Sequence, residues 1–136
     1  KILIFMLLIN KKALQQFYKY TIVGFVNTVI SIGFILILVY ANVNPIRANA
    51  IGYCVGFGIS FILNRNYTFL ASKNSLLINQ FLKNVVVFFI SYGCNLAIIL
   101  MMNFLKPEWI YTNQIIGWLV FYITGFWGSK VFVFKK

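Results

Sequence analysis

The sequence predicts an all-α integral membrane protein with four transmembrane helices, built as two parallel two-helix repeats with both termini on the cytoplasmic side. Three observations predict it: a composition too apolar for a water-facing surface, four apolar stretches of bilayer length, and a one-sided distribution of cations between them. Of 136 residues, 62% are hydrophobic, 19% aromatic and only 10% charged, where soluble domains sit near half apolar and about a quarter charged. Mean hydropathy is +0.89. Most apolar side chains must therefore face lipid or other helices.

A hydrocarbon core takes roughly 20 helical residues to cross. The spans are expected at Tyr20 to Tyr40, Asn49 to Leu70, Phe81 to Leu105 and Ile110 to Phe134. Ala41-Asn42-Val43-Asn44-Pro45 and Lys106-Pro107-Glu108 are turn-forming clusters between them. Lys1, Lys11, Lys12, Lys19, Arg65, Lys73, Lys83, Lys130, Lys135 and Lys136 flank one side of the spans, and only Arg47 and Lys106 the other. Lys and Arg are retained in the cytoplasm, so both ends and the loop Ala71 to Gln80 are expected there. The opening segment, residues 1–16, is apolar but too short to span and reads as an interfacial segment.

The net charge of +11 comes from twelve Lys and Arg against a single acid, Glu108. These cations lie between apolar runs instead of along a polar helix, so lipid phosphates are the expected counter-charges and nucleic acid is not an expected partner. Cys54 and Cys94 fall inside apolar segments, where a thiol behaves as a small hydrophobe. Neither a disulfide nor a metal site is expected, and the sequence calls for no cofactor.

At an offset of 64 to 65 residues the second half of the chain matches the first. Phe17, Lys19, Phe25, Asn27 and Ser31 fall opposite Phe81, Lys83, Phe89, Ser91 and Asn95; Gly52, Phe61, Arg65 and Phe69 fall opposite Gly117, Phe126, Lys130 and Phe134. Repeats of about 17–70 and 81–134 are expected within one transmembrane domain, 17–136. Each copy holds two spans, so both would enter the membrane in the same direction.

Polar groups collect on particular faces. Tyr20, Gly24, Asn27 and Ser31 recur at helical spacing, as do Asn84, Phe88, Ser91 and Asn95. Such side chains either bond across helices, at an average of about 0.6 kcal/mol each, or line a substrate path. Gly52, Gly56, Ser60 and Asn64 form a ridge of small residues that lets another backbone come close, within the chain or in a second copy.

Arg65 and Lys130 stand out among the cations because each lies near the end of an expected span and is followed by further apolar residues. Helix continuing beyond them puts each charge roughly 6 to 8 Å inside the boundary, where it either snorkels or meets an anion. A guanidinium pairs two phosphate oxygens at once, with Asn64 and Asn66 beside it as hydrogen-bond partners, and a lysine adds a point charge. The spans contain no Asp, Glu or His, so proton-driven antiport and small-multidrug-type efflux are not expected. With no carboxylate pair, nucleophile-base pair or metal cluster for group transfer, a self-contained enzyme is not expected.

Gln16-Phe17-Tyr18-Lys19-Tyr20 leading into Val23-Gly24-Phe25-Val26-Asn27-Thr28, then Ala48-Asn49 through Gly52 to Ser60-Phe61-Ile62-Leu63-Asn64-Arg65-Asn66-Tyr67-Thr68-Phe69, resembles the GtrA-like family. The second segment is the more specific. The resemblance implies a multi-pass protein of the bacterial inner membrane in cell-surface polysaccharide or teichoic acid synthesis. It would either flip a polyprenyl phosphate-linked sugar or serve as a non-catalytic anchor or partner of a membrane glycosyltransferase. Family members often carry an acid in the first helix where this chain has Ser31, so an acid-dependent step is not expected here. On this reading Arg65, Lys130, Asn64 and Asn66 would hold the lipid phosphate. Asn27, Ser31, Ser91 and Asn95 would line the path, with Asn49, Asn113 and Gln114 near the exit. The implied partners are the lipid-linked sugar, membrane lipids and a glycosyltransferase; the small-residue ridge also fits a homo-oligomer.

Overall fold

The computed structural model describes residues 11–72 and 76–135, so the expectation for residues 1–10 lies outside the described region. In order, the elements are α1 (Lys11–Tyr40), α2 (Pro45–Leu63), a first π turn (Asn64–Thr68), α3 (Leu77–Leu105), α4 (Ile110–Gly128) and a second π turn (Ser129–Val133). Four spans, Lys11–Tyr40, Pro45–Thr68, Leu77–Leu105 and Ile110–Val133, are long and apolar enough to cross a membrane. The chain divides into two compact units, Lys1–Leu70 and Ala71–Lys136.

The first unit is a helical hairpin with a π turn at its end. Lys11, Lys12, Gln15, Gln16 and Lys19 are good helix formers, so the chain is already helical at Lys11, nine residues before the apolar run at Tyr20. Its 30 residues extend roughly 45 Å, past a hydrocarbon core of about 30 Å, which leaves the lysine-bearing turns at headgroup level. At the other end Asn42 takes φ 60°, while Val43 N–H donates to Leu38 O and Asn42 N–H to Val39 O, both at 3.0 Å. This is a Schellman stop with Asn in the place usually held by Gly. Asn44 then caps α2, its Oδ1 accepting from Ile46 N–H at 3.0 Å, and Pro45 supplies the preset φ of a first turn.

α2 lies against α1 through the small-residue ridge. A side-chain carbon at Gly52 would overlap Ile35, and one at Gly56 would overlap Ser31 Oγ and stand 2.8 Å from Asn27 Oδ1. The ridge thus serves contact within the unit. Ala48 and Phe61 are buried as well, as are Ala13, Val23 and Ser31 of α1.

The second unit has the same element order. A side-chain carbon at Gly117 would come 2.7 Å from Ile99 Cδ1 and 3.0 Å from Asn95 Nδ2, and one at Gly128 would come 2.7 Å from Val87 Cγ1. Its connecting turn is held differently. Asn113, fully buried at 0% exposure, donates through Nδ2 to Asn103 Oδ1 at 2.8 Å and to Lys106 O at 3.0 Å. Ala48 stands at the corresponding position of the first unit, where Asn44 does the capping from outside the helix.

Only 11% to 22% of each span's apolar window is buried inside the chain. Leu36, Phe25, Phe89, Leu100, Ile115 and Trp118 are among many large apolar side chains facing outward. In water such a surface would aggregate; in a bilayer it is the lipid-facing surface. Both cysteines are free, and Cys54 is exposed on this outer surface instead of buried.

Candidate functional site

Both units end in a five-residue π turn, a rare element that occurs most often at functional positions. The first is closed by side chains. Asn64, buried, accepts from Thr68 Oγ1 at 2.9 Å and donates to Ser60 Oγ at 3.3 Å. Phe69 N–H bonds back to Asn64 O at 2.9 Å, and the buried Phe69 ring packs on Tyr20 of α1 with centroids 6.2 Å apart. In the second turn Phe134 N–H bonds to Ser129 O at 2.8 Å, and Ser129, Val133 and Phe134 are buried.

Each π turn carries one half-buried cation at its second residue, Arg65 in the first and Lys130 in the second. Arg65 Nη1 donates to Asn66 Oδ1 at 3.3 Å. Asn64 instead has its amide engaged by Ser60 and Thr68, so it shapes the turn that carries the guanidinium. The Lys130 ammonium lies 5.1 Å from the Trp127 ring centroid and 5.8 Å from that of Phe126, one turn back on the same helix. Aromatic faces lower the cost of a cation at this depth but supply no counter-charge.

The long helices bring a second cation to each turn. Lys19 of α1 sits 4.8 Å from the Tyr67 ring centroid and donates to Tyr67 O at 3.4 Å. In the other unit Lys83 of α3 lies 5.4 Å from the Phe132 ring centroid. Lys19 and Lys83 were not among the expected phosphate ligands. Their signal was present: they match across the 64-residue offset, just as Tyr67 and Phe132 do across 65.

The neutral groups expected along a path lie at helix contacts within each unit. Asn27 and Ser31 meet α2 at Gly56, and Asn95 meets α4 at Gly117. Ser91 is 1% exposed. Among the described residues, Asn27 Oδ1, Ser91 Oγ and Asn113 Oδ1 are buried oxygens with no hydrogen-bond partner, an arrangement that costs about 1–3 kcal/mol per group unless something else bonds to it. Of the groups expected near the exit, Asn49 and Gln114 are exposed, whereas Asn113 braces the turn before α4. Among the described residues no cluster of His, Cys, Asp or Glu could hold a metal ion.

Four apolar spans, neutral polar groups inside the hairpins and cations gathered on two π turns define a multi-pass helical membrane protein. The chain belongs to the family described as GtrA/DPMS, transmembrane domain, whose model matches residues 19–134. That membership makes it a membrane protein of glycosyl carrier-lipid sugar metabolism. No curated protein and no solved structure matches it.

Proposed function

We propose that the chain moves a polyprenyl phosphate-linked sugar across the bacterial inner membrane for glycosylation of cell-surface polysaccharide or teichoic acid, and that it transfers no group itself. The lipid phosphate binds at the π-turn cations, Arg65 in the first unit and Lys130 in the second. One observation carries the reading: each unit places a half-buried cation at the second residue of its π turn, Arg65 in the first and Lys130 in the second. The first unit contains no acid. In the second, Glu108 precedes α4 while Lys130 follows it, a separation of roughly 30 Å along the helix. A phosphate diester brings a negative charge and accepts the guanidinium's paired donors.

The polyprenyl tail stays in lipid throughout, so an aqueous pore is unnecessary. The sugar's hydroxyls need acceptors at mid-membrane depth, and Asn27 Oδ1 and Ser91 Oγ, unpartnered but buried at helix contacts, would supply them only as the hairpins open around the sugar. With termini and π turns on the cytoplasmic side, as the cation distribution predicts, the phosphate is captured where the lipid donor is made.

The test is sided delivery of a labelled polyprenyl phosphosugar in vesicles containing only this protein. Wild type delivers; Arg65→Ala inserts and folds but does not. Delivery unchanged in Arg65→Ala rejects the docking role. A second reading, a non-catalytic anchor for a glycosyltransferase, is favoured by the spans' small internal burial, which leaves most of their surface for partner helices. It requires co-purification with the enzyme, and loss of enzyme activity or abundance on deletion while no flipping is measured.

A further inference from the structure

Beside the first π turn, an open groove of about 810 Å³ is lined by Gln15, Tyr18, Lys19 and Tyr67 together with apolar residues of α1. We infer that this groove is a binding site for the phosphate headgroup of a membrane lipid, with the Lys19 ammonium as its charge, separate from the Arg65 dock and independent of whether the protein transports.

Three features converge on it. First, Lys19 is held in place: its ammonium sits over the Tyr67 ring at 4.8 Å and donates to the Tyr67 carbonyl at 3.4 Å. Fixing a flexible lysine beforehand reduces the ordering cost of binding. Second, its positive charge has no anion in its own unit, because residues 1–70 contain neither Asp nor Glu. A carbonyl and a ring face attract the ammonium without neutralising it. Third, Gln15 lies one turn before Lys19 on the same helix and lines the same groove, adding an amide donor four residues away, at i, i+4 spacing.

The groove's position selects a lipid over a soluble anion. The lining includes Leu14, Phe17 and the exposed Tyr18, which offer apolar contact to acyl or prenyl carbons beside the phosphate. α1 passes from lysine-bearing turns into its continuous apolar run at Tyr20, so Lys19 stands where a headgroup meets hydrocarbon. The pairing recurs in the other unit, where Lys83 of α3 lies over Phe132 of the second π turn.

The experiment measures binding to the full chain in neutral-detergent micelles, using four probes: polyprenyl monophosphate, phosphatidylglycerol, the phosphate-free polyprenol and inorganic phosphate. Both phospholipid probes bind, and polyprenol and inorganic phosphate do not bind at the same concentrations. Measured in an Arg65→Ala, Lys130→Ala background, so that the dock proposed above does not contribute, Lys19→Ala weakens binding of the phosphate lipids about tenfold, while Lys19→Arg stays within about twofold of the parent. Tighter binding of polyprenyl monophosphate than of phosphatidylglycerol identifies the carrier lipid as occupant; equal affinity identifies bulk anionic lipid, and either outcome upholds a lipid-phosphate site. The inference is overturned if Lys19→Ala binds like the parent, if Lys19→Arg loses as much as Lys19→Ala, or if inorganic phosphate binds as tightly as the lipids. Absence of sugar delivery by the wild-type protein would refute transport and leave this site standing.

Discussion

Replacing Gly56 by alanine tests the close approach of α1 and α2 on which the first unit depends. The new carbon would overlap Ser31 Oγ, stand 2.8 Å from Asn27 Oδ1 and lie 3.3 Å from Ser31 Cβ. Ser31 is buried and its hydroxyl has few helical rotamers to escape into, so either the helices separate or a strained rotamer is forced. Overpacking of this kind costs about 1–3 kcal/mol. Removing the offending oxygen separates the steric cause from a general intolerance of change. Ser31→Ala leaves the 3.3 Å carbon contact, which a shift of a few tenths of an ångström relieves, and the 2.8 Å approach to Asn27 Oδ1, the end of a side chain that can turn aside. The double variant should therefore recover most of the loss, with a coupling of about 1–2 kcal/mol. Gly58→Ala is the control: nothing lies within 4 Å of a carbon placed there, and alanine favours helix over glycine by up to about 1 kcal/mol. Reversible unfolding in mixed micelles, followed by circular dichroism across an SDS titration, measures all four variants against wild type. Gly56→Ala as stable as wild type, or a double variant no better than Gly56→Ala alone, would refute the contact.

Thr68→Val leaves Asn64 Oδ1 without the 2.9 Å bond that closes the first π turn, and should lower stability in the same assay by about 1–2 kcal/mol. Asn113→Leu removes both bonds that brace the turn between α3 and α4; a loss of about 1–3 kcal/mol is expected, with protease sensitivity rising at Lys106. Arg65→Lys should retain part of the sugar delivery that Arg65→Ala abolishes, because it keeps the charge and loses the paired donors. Delivery equal in Arg65→Lys and Arg65→Ala would show that charge alone is not what the site uses.

Hydropathy located the four spans but not all of their helix ends. α1 runs out to Lys11 because amide and lysine side chains continue a helix after the apolar run has stopped, and α2 starts at Pro45, four residues before the expected Asn49, because Asn44 caps it and Pro45 fits its first turn. The cations of the candidate site, Arg65 and Lys130, were legible because a charge inside an apolar run stands out. Their π turns were not, since the wider turn is set by a buried side-chain bond between Asn64 and Thr68 and by the seating of Phe69 and Phe134, none of which leaves a compositional mark. Asn64 accordingly looked like a ligand of the phosphate when its amide holds the backbone beneath the guanidinium. Lys19 and Lys83 were visible only as matched positions. Their placement over Tyr67 and Phe132 depends on how far each long helix extends past the apolar region.

Photo-crosslinking with a polyprenyl phosphate whose reactive group sits beside the phosphate tests the central claim most directly, because it reports where on the chain the headgroup rests. With the phosphate held by the π-turn cations, labels concentrate on residues 64–68 and 129–133 and fall away in Arg65→Ala and Lys130→Ala. Labels spread along the lipid-facing sides of the helices, unchanged by either substitution, would contradict it.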